Sequence, residues 1–178
     1  MFINIFNYFY NYQLNKIYQK CLSQNGKTPK GVFWNSYYSQ IKRFEELLSI
    51  VISTNKQNNY LAITDVGCGY GAMYEYIKLN PKYSRIHYTG IDINKYFINE
   101  CKNSFKKGKF YIGSYPKKNT DYCLMSGTYN LTKINNVAIW QNYIFKNLEN
   151  CFDKVNIGLI FNLQFDEISR ITNNIFYC

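Results

Sequence analysis

The chain has 178 residues, 47% of them hydrophobic, which is enough for one well-buried core and too short for two ordinary domains. No run of about 18 apolar residues occurs, and the aromatic start, Met1 to Tyr12, is broken by Asn4, Asn7 and Asn11 with no basic residue ahead of it. Neither a membrane span nor a signal peptide is supported, and a cytoplasmic protein is expected. The formal net charge of +10 invites a nucleic-acid partner, but the excess is lysine. Arg43, Arg85 and Arg170 are the only arginines, and arginine is the residue that forks onto phosphates and guanines, so nucleic acid stays open but is not favoured. The six cysteines form no C-x-x-C pair and no cluster with the single histidine, which argues for reduced thiols and no metal site.

In chain order, Met1 to Leu22 carries apolar groups at irregular helical spacing and predicts one or two helices, followed by a turn-rich connector, Gln24 to Gly31. Ile41, Phe44, Leu47, Leu48 and Val51 recur at three- and four-residue steps, one face of an amphipathic helix from Tyr38 that ends in the polar stretch Thr54 to Asn59. Tyr60 to Val66 is a short apolar run that stops at glycines and reads as a buried strand. Then follow a helix over Ala72 to Leu79, stopped before Pro81, a strand over Ile86 to Ile91, a helix over Asn94 to Phe105 and a strand over Lys109 to Ile112. A fourth strand, Tyr122 to Met125, a helix, Val137 to Cys151, and a fifth strand, Asn156 to Phe161, complete the alternation. Strands alternating with helices imply an α/β fold, a mainly parallel sheet covered on both faces.

The chemistry concentrates in Asp65-Val66-Gly67-Cys68-Gly69-Tyr70-Gly71, between the first strand and its helix. In a parallel sheet, ligands sit beyond the carboxyl ends of the strands. Three glycines there allow a sharp turn and a close approach to a ligand in front of a helix N-terminus. A dinucleotide site would read G-x-G-x-x-G; here the third glycine comes one residue early and an acid stands two residues before the first. Asp92 ends the second strand, where a carboxylate can accept hydrogen bonds from a ribose diol or, alternatively, cap the following helix. Cys68 reads as a small loop residue, since a catalytic thiol wants a histidine and His87 falls inside the second strand.

With these motifs in view, D-x-G-x-G-x-G and the second-strand acid resemble the class I S-adenosylmethionine-dependent methyltransferases. The likeness runs over roughly residues 10 to 178 and extends to Gly26–Trp34, Gln40–Phe44, Ser126–Asn130 and Phe161–Leu163. It implies a Rossmann-like sheet with an N-terminal helical extension and lid over residues 1–54 and a cofactor-binding domain over 55–178. It also implies S-adenosylmethionine as cofactor, held by Asp65, Gly67, Cys68, Gly69, Gly71, Asp92, Ile93, Ser114, Ser126 and Gly127, with Arg43 and Trp34 closing over it. Thr128, Tyr129 and Asn130 are expected to line the acceptor pocket, and no catalytic residue is nominated.

Two departures shape the expectation of function. Gly113-Ser114 stands where the family often has an acid for the adenine amine, and Ser126 to Asn130 is not the Asn/Asp-Pro-Pro-Tyr signature of base and amide methylation. After the fifth strand only Asn162 to Cys178 remain, too few for the family's helix and closing hairpin, so strands six and seven are expected to be missing and strand five to be an open edge that invites a partner segment or a homo-oligomer. The reading is methyl transfer to a small-molecule or sugar-like acceptor. The alternatives are a truncated, inactive cofactor-binding remnant and an RNA methyltransferase.

Overall fold

The computed structural model describes residues 2–55 and 60–178, with side chains from Phe9 onward; Met1 and residues 56–59, where part of the expected polar helix end falls, lie outside the described residues. Among the described residues there are five α-helices: α1 (Phe2–Asn25), α2 (Tyr37–Thr54), α3 (Ala72–Leu79), α4 (Lys95–Ser104) and α5 (Val137–Phe152). The strands β1 (Leu61–Val66), β2 (Ile86–Asp92), β3 (Lys109–Ile112), β4 (Thr120–Met125) and β5 (Val155–Phe161) form one parallel sheet in the order β3-β2-β1-β4-β5. The expected α/β class is the one observed. Where one or two N-terminal helices were expected, a single helix runs three residues beyond Leu22.

Alternation along each strand sends side chains to two separate cores. Leu61 and Ile63 of β1, Ile86 and Tyr88 of β2, and Leu124 of β4 face α2, α3 and α4, where they meet Leu48, Val51, Met73, Ile77 and Ile98. Val66, Ile91, Cys123 and Met125 face the other way, onto Tyr10 and Leu14 of α1 and Trp140, Tyr143 and Ile144 of α5. Helix α2 is started by Ser36, whose side chain accepts from the Ser39 N–H while Ser39 returns a bond to the Ser36 backbone.

The loop from β3 to β4, Gly113 to Asn119, has to cross from one side of the sheet to the other and is too short to carry a crossover helix. The sheet face it leaves uncovered is taken by α1, which arrives from the far N-terminus. Tyr10 packs on Trp140 and Tyr143 with ring centroids 5.0 Å away in both cases, and its hydroxyl bonds Thr132 at 2.5 Å.

The C-terminal expectation needs correcting. Residues after β5 do form a hairpin, β6 (Arg170–Thr172) and β7 (Ile175–Tyr177), joined by Asn173 and Asn174 with φ of 52° and 64°. Two left-handed asparagines match the two-residue hairpin turn whose twist fits the strands. The hairpin is a sheet of its own, however, and the main sheet ends at β5, as the open-edge reading expected. It pairs instead with the segment after β4, through the Leu131–Ile175 bridge and the Phe176 N–H on the Asn130 carbonyl at 2.8 Å.

If α1 is a layer of the core and not an appendage, Leu14→Ala, at a position 5% exposed, should cost about 2–5 kcal/mol of unfolding free energy. Urea denaturation measures it; a loss below about 0.5 kcal/mol, the scale of surface substitutions, would count against the layer.

Candidate functional site

Strand β1 delivers the glycine turn to the carboxyl end of the sheet, next to the gap between β1 and β4 where the chain order reverses. Gly67, Gly69 and Gly71 all have left-handed φ, at 81°, 53° and 89°. A Cβ on Gly67 would stand 2.8 Å from Thr128, and one on Gly71 would stand 2.8 Å from the Phe105 ring. At Gly69 a Cβ would meet only Val32 Cγ1, at 3.6 Å, so its empty side is open cleft. The turn is held from below by the Gly67 and Cys68 N–H groups, both on the Ile91 carbonyl, at 2.8 and 3.0 Å.

Two acids sit under this turn. Asp92, 7% exposed, accepts the Gly69 N–H at 2.9 Å on one carboxylate oxygen and the Asn94 N–H at 2.8 Å on the other. The cap of α4 is Asn94, whose side chain accepts from the Tyr96 N–H, so Asp92 braces the turn and does not cap the helix. Asp65, 3% exposed, accepts the Tyr88 hydroxyl at 2.6 Å. Burial pushes both carboxyls up, Asp65 to about 7 against the help of Tyr88 and Asp92 to about 6 against its two backbone donors. Among the described residues the ion pairs are Lys27–Glu100, Lys146–Glu149 and Arg170–Asp166, and none of them reaches either acid.

A cleft with a cavity of about 210 Å³ opens above the acids. Its walls bring together Asp65, Gly67, Cys68, Gly69, Asp92, Ile93, Ser114, Ser126 and Gly127 with Thr128, Tyr129 and Asn130 from the end of β4. Trp34 and Arg43 close one side: the Arg43 guanidinium lies 5.0 Å from the Trp34 ring centroid, and that ring packs against Gly127. Thr128 ties the two strand ends together by donating to the Val66 carbonyl at 2.6 Å, and Asn162 accepts the Gly127 N–H at 2.8 Å. Gly71 is the exception among the nominated residues: it starts α3 and is not part of the wall.

Cys68 is buried next to Cys101, and burial pushes its thiol well up, which makes it a poor nucleophile. His87 sits exposed on β2, edge-on to Tyr60 at 5.0 Å and outside the cleft. Among the described residues no group of His, Cys, Asp and Glu suits a metal ion. The wall also holds residues that sequence reasoning missed: Leu14 and Tyr18 from α1, Trp140, Tyr143 and Asn147 from α5, and Gln164 and Ile175 from the C-terminal segment. The helical spacing of those on α1 and α5 carried only a packing signal. For the hairpin, Asn173-Asn174 between apolar pairs was a readable turn.

The raised carboxyl of Asp65 sets a sign for stability. Its folded pKa of about 7 lies above the ordinary 3.8, so the folded chain holds this proton more tightly and loses stability as pH rises from about 4 to 7. Asp65→Asn keeps an acceptor for Tyr88 and removes the charge. It should stabilise the ligand-free protein at pH 8 by on the order of 1–3 kcal/mol and leave it unchanged near pH 3.5, as measured by denaturation at the two pH values.

No family model matches the chain. A Mycobacterium tuberculosis protein named "Putative methyltransferase Rv1506c" is 25% identical over 121 residues, 65% of this chain and 72% of that one. The plantazolicin methyltransferase BpumL, solved with SAH and a pentazolic desmethylPZN analog, superposes with a TM-score of 0.53 at 20% identity, over 82% of this chain and 56% of its own. Its complex with a triazolic analog gives the same values. The chain thus spans a little over half the length of the solved structures it matches. By fold the chain is Rossmann-like, and in sequence it is similar to a protein named as a putative methyltransferase.

Proposed function

We propose that the chain binds S-adenosylmethionine in the cleft above Asp65 and Asp92 and passes its methyl group to a small-molecule acceptor. The observation that carries this reading is the pair of buried carboxylates at the ends of β1 and β2, neither offered a cation by the described residues, beneath a turn whose middle glycine leaves its Cβ side open. Buried carboxylates without cations are costly, and a ligand bearing an ammonium group and a ribose diol supplies what each lacks.

The residues fit such a ligand. Each Asp92 oxygen takes one backbone N–H and keeps a lone pair for a ribose hydroxyl. Asp65, at the end of β1 beside the turn, is suited to the amino acid end of the cofactor. The sulfonium methyl, when bound, is displaced in line by the acceptor, a step that asks the protein mainly for positioning and dryness. Trp34 and Arg43, from residues 1–54, would cover the cofactor side, which is the lid role expected of that segment. The acceptor side would be Thr128, Tyr129 and Asn130 with Gln164 and Ile175, since these share the cleft wall. Among the described residues Arg43 is the one basic residue on that wall, and it is engaged with Trp34, which supports a small acceptor over RNA.

Calorimetry with S-adenosylmethionine and its demethylated product tests the reading: a folded sample that releases no heat with either would end it, whereas NAD should not bind at micromolar concentration. Asp92→Asn should weaken cofactor binding by about 1.5–3 kcal/mol. Gly69→Asn should remain folded, because asparagine tolerates a left-handed φ and has open space here, yet lose binding. Because the ammonium group wants ionised Asp65, affinity should rise as pH increases through about 7, and the rise should vanish in Asp65→Asn.

A further inference from the structure

Next to the cleft lies a second cavity, between α1 and the carboxyl ends of β2 and β3, with Asn11, Asn15, Ile93, Ile112, Gly113 and Ser114 in its wall. Ile93, Gly113 and Ser114 belong to both walls, so the two spaces adjoin. Among the described residues no charged side chain lines this cavity. Its notable group is Asn15: the Nδ2 donates to the Ile93 carbonyl at 3.4 Å, while the Oδ1 is buried with no hydrogen-bond partner. The bond to Ile93 sets the amide's orientation, because turning it end for end would place oxygen against oxygen. The neighbouring Asn11 oxygen is already taken by the Tyr143 hydroxyl, at 2.8 Å.

A buried acceptor without a donor is costly and calls for a ligand N–H. The two isoleucines beside it suit the face of a flat, neutral ring. If Asp92 holds the ribose diol, the base is attached one carbon away and must occupy the adjoining space. We infer that Asn15 is a specificity-determining residue for the cofactor, accepting a hydrogen bond from the exocyclic amine of its adenine. The first helix thereby reads the base from across the sheet, where Gly113-Ser114 at the end of β3 offers no acid. This inference rests on the S-adenosylmethionine reading above.

The experiment is calorimetric titration of the full chain with S-adenosylhomocysteine and with its 6-oxo, inosine-containing counterpart, which presents a carbonyl in place of the amine. The wild type should prefer the adenine form by roughly tenfold or more, since an acceptor facing an acceptor leaves both unpaired. Asn15→Ala should bring the two ligands to within about threefold, mainly by weakening the adenine form. Equal binding of both ligands to the wild type, or a preference unchanged in Asn15→Ala, overturns the inference while leaving the cofactor reading standing. Binding of neither ligand to folded wild type overturns both. Should Asn15→Ala fail to fold, the wild-type comparison still decides.

Discussion

A parallel sheet needs both faces covered, and the connection from β3 to β4 is too short to bring a helix with it. Much of the site follows from that constraint. Helix α1 has to fill the bare face, so its aromatic and aliphatic residues, Tyr10 and Leu14 among them, interlock with Trp140 and Tyr143 of α5. Once seated there, α1 also places Leu14, Tyr18 and Asn15 along the crevice at the sheet's carboxyl edge. The segment that completes the core is therefore also a wall of the site.

The same edge concentrates electrostatic tension. Asp65 and Asp92 end adjacent parallel strands, and burial raises both carboxyls toward neutrality. Backbone donors from Gly69 and Asn94 hold Asp92 while Tyr88 holds Asp65, so the two acids are oriented, and among the described residues no ion pair reaches them. Such a pair is expensive for the empty protein and useful to a protein that binds a cationic ligand, because part of the binding free energy comes from relieving it.

On the side of the cleft proposed for the acceptor, rigidity comes from an unexpected quarter. The post-β4 segment, which carries Thr128, Tyr129 and Asn130, is tied to β1 by Thr128 and to the C-terminal hairpin by the Asn130 carbonyl and the Leu131–Ile175 bridge. Among the described residues the hairpin adds no strand to the outer edge of β5, and it instead braces the loop that lines the cleft. Gln164 and Ile175 thereby join the wall.

The sequence by itself determined the strand and helix order, to within a residue or two at most boundaries, because apolar periodicity, Pro81 and the glycine cluster are local signals. It also put Asp65, the glycine turn and Asp92 at the strand ends that wall the cleft, with a spacing that differs from a dinucleotide fingerprint. Tertiary structure alone decided which remote segments meet that edge. Asn15 and Tyr18 look like ordinary helix residues until α1 is laid on the sheet, and Gly71 reads as part of the cradle until the cleft wall is seen to leave it out. The hairpin was written in Asn173-Asn174, but its partner was not, since the pairing of Ile175 with Leu131 joins residues distant in sequence whose bonds leave no periodic trace. Local backbone preference can be read from neighbouring residues; the closing of long loops onto a shared crevice depends on how the whole core packs.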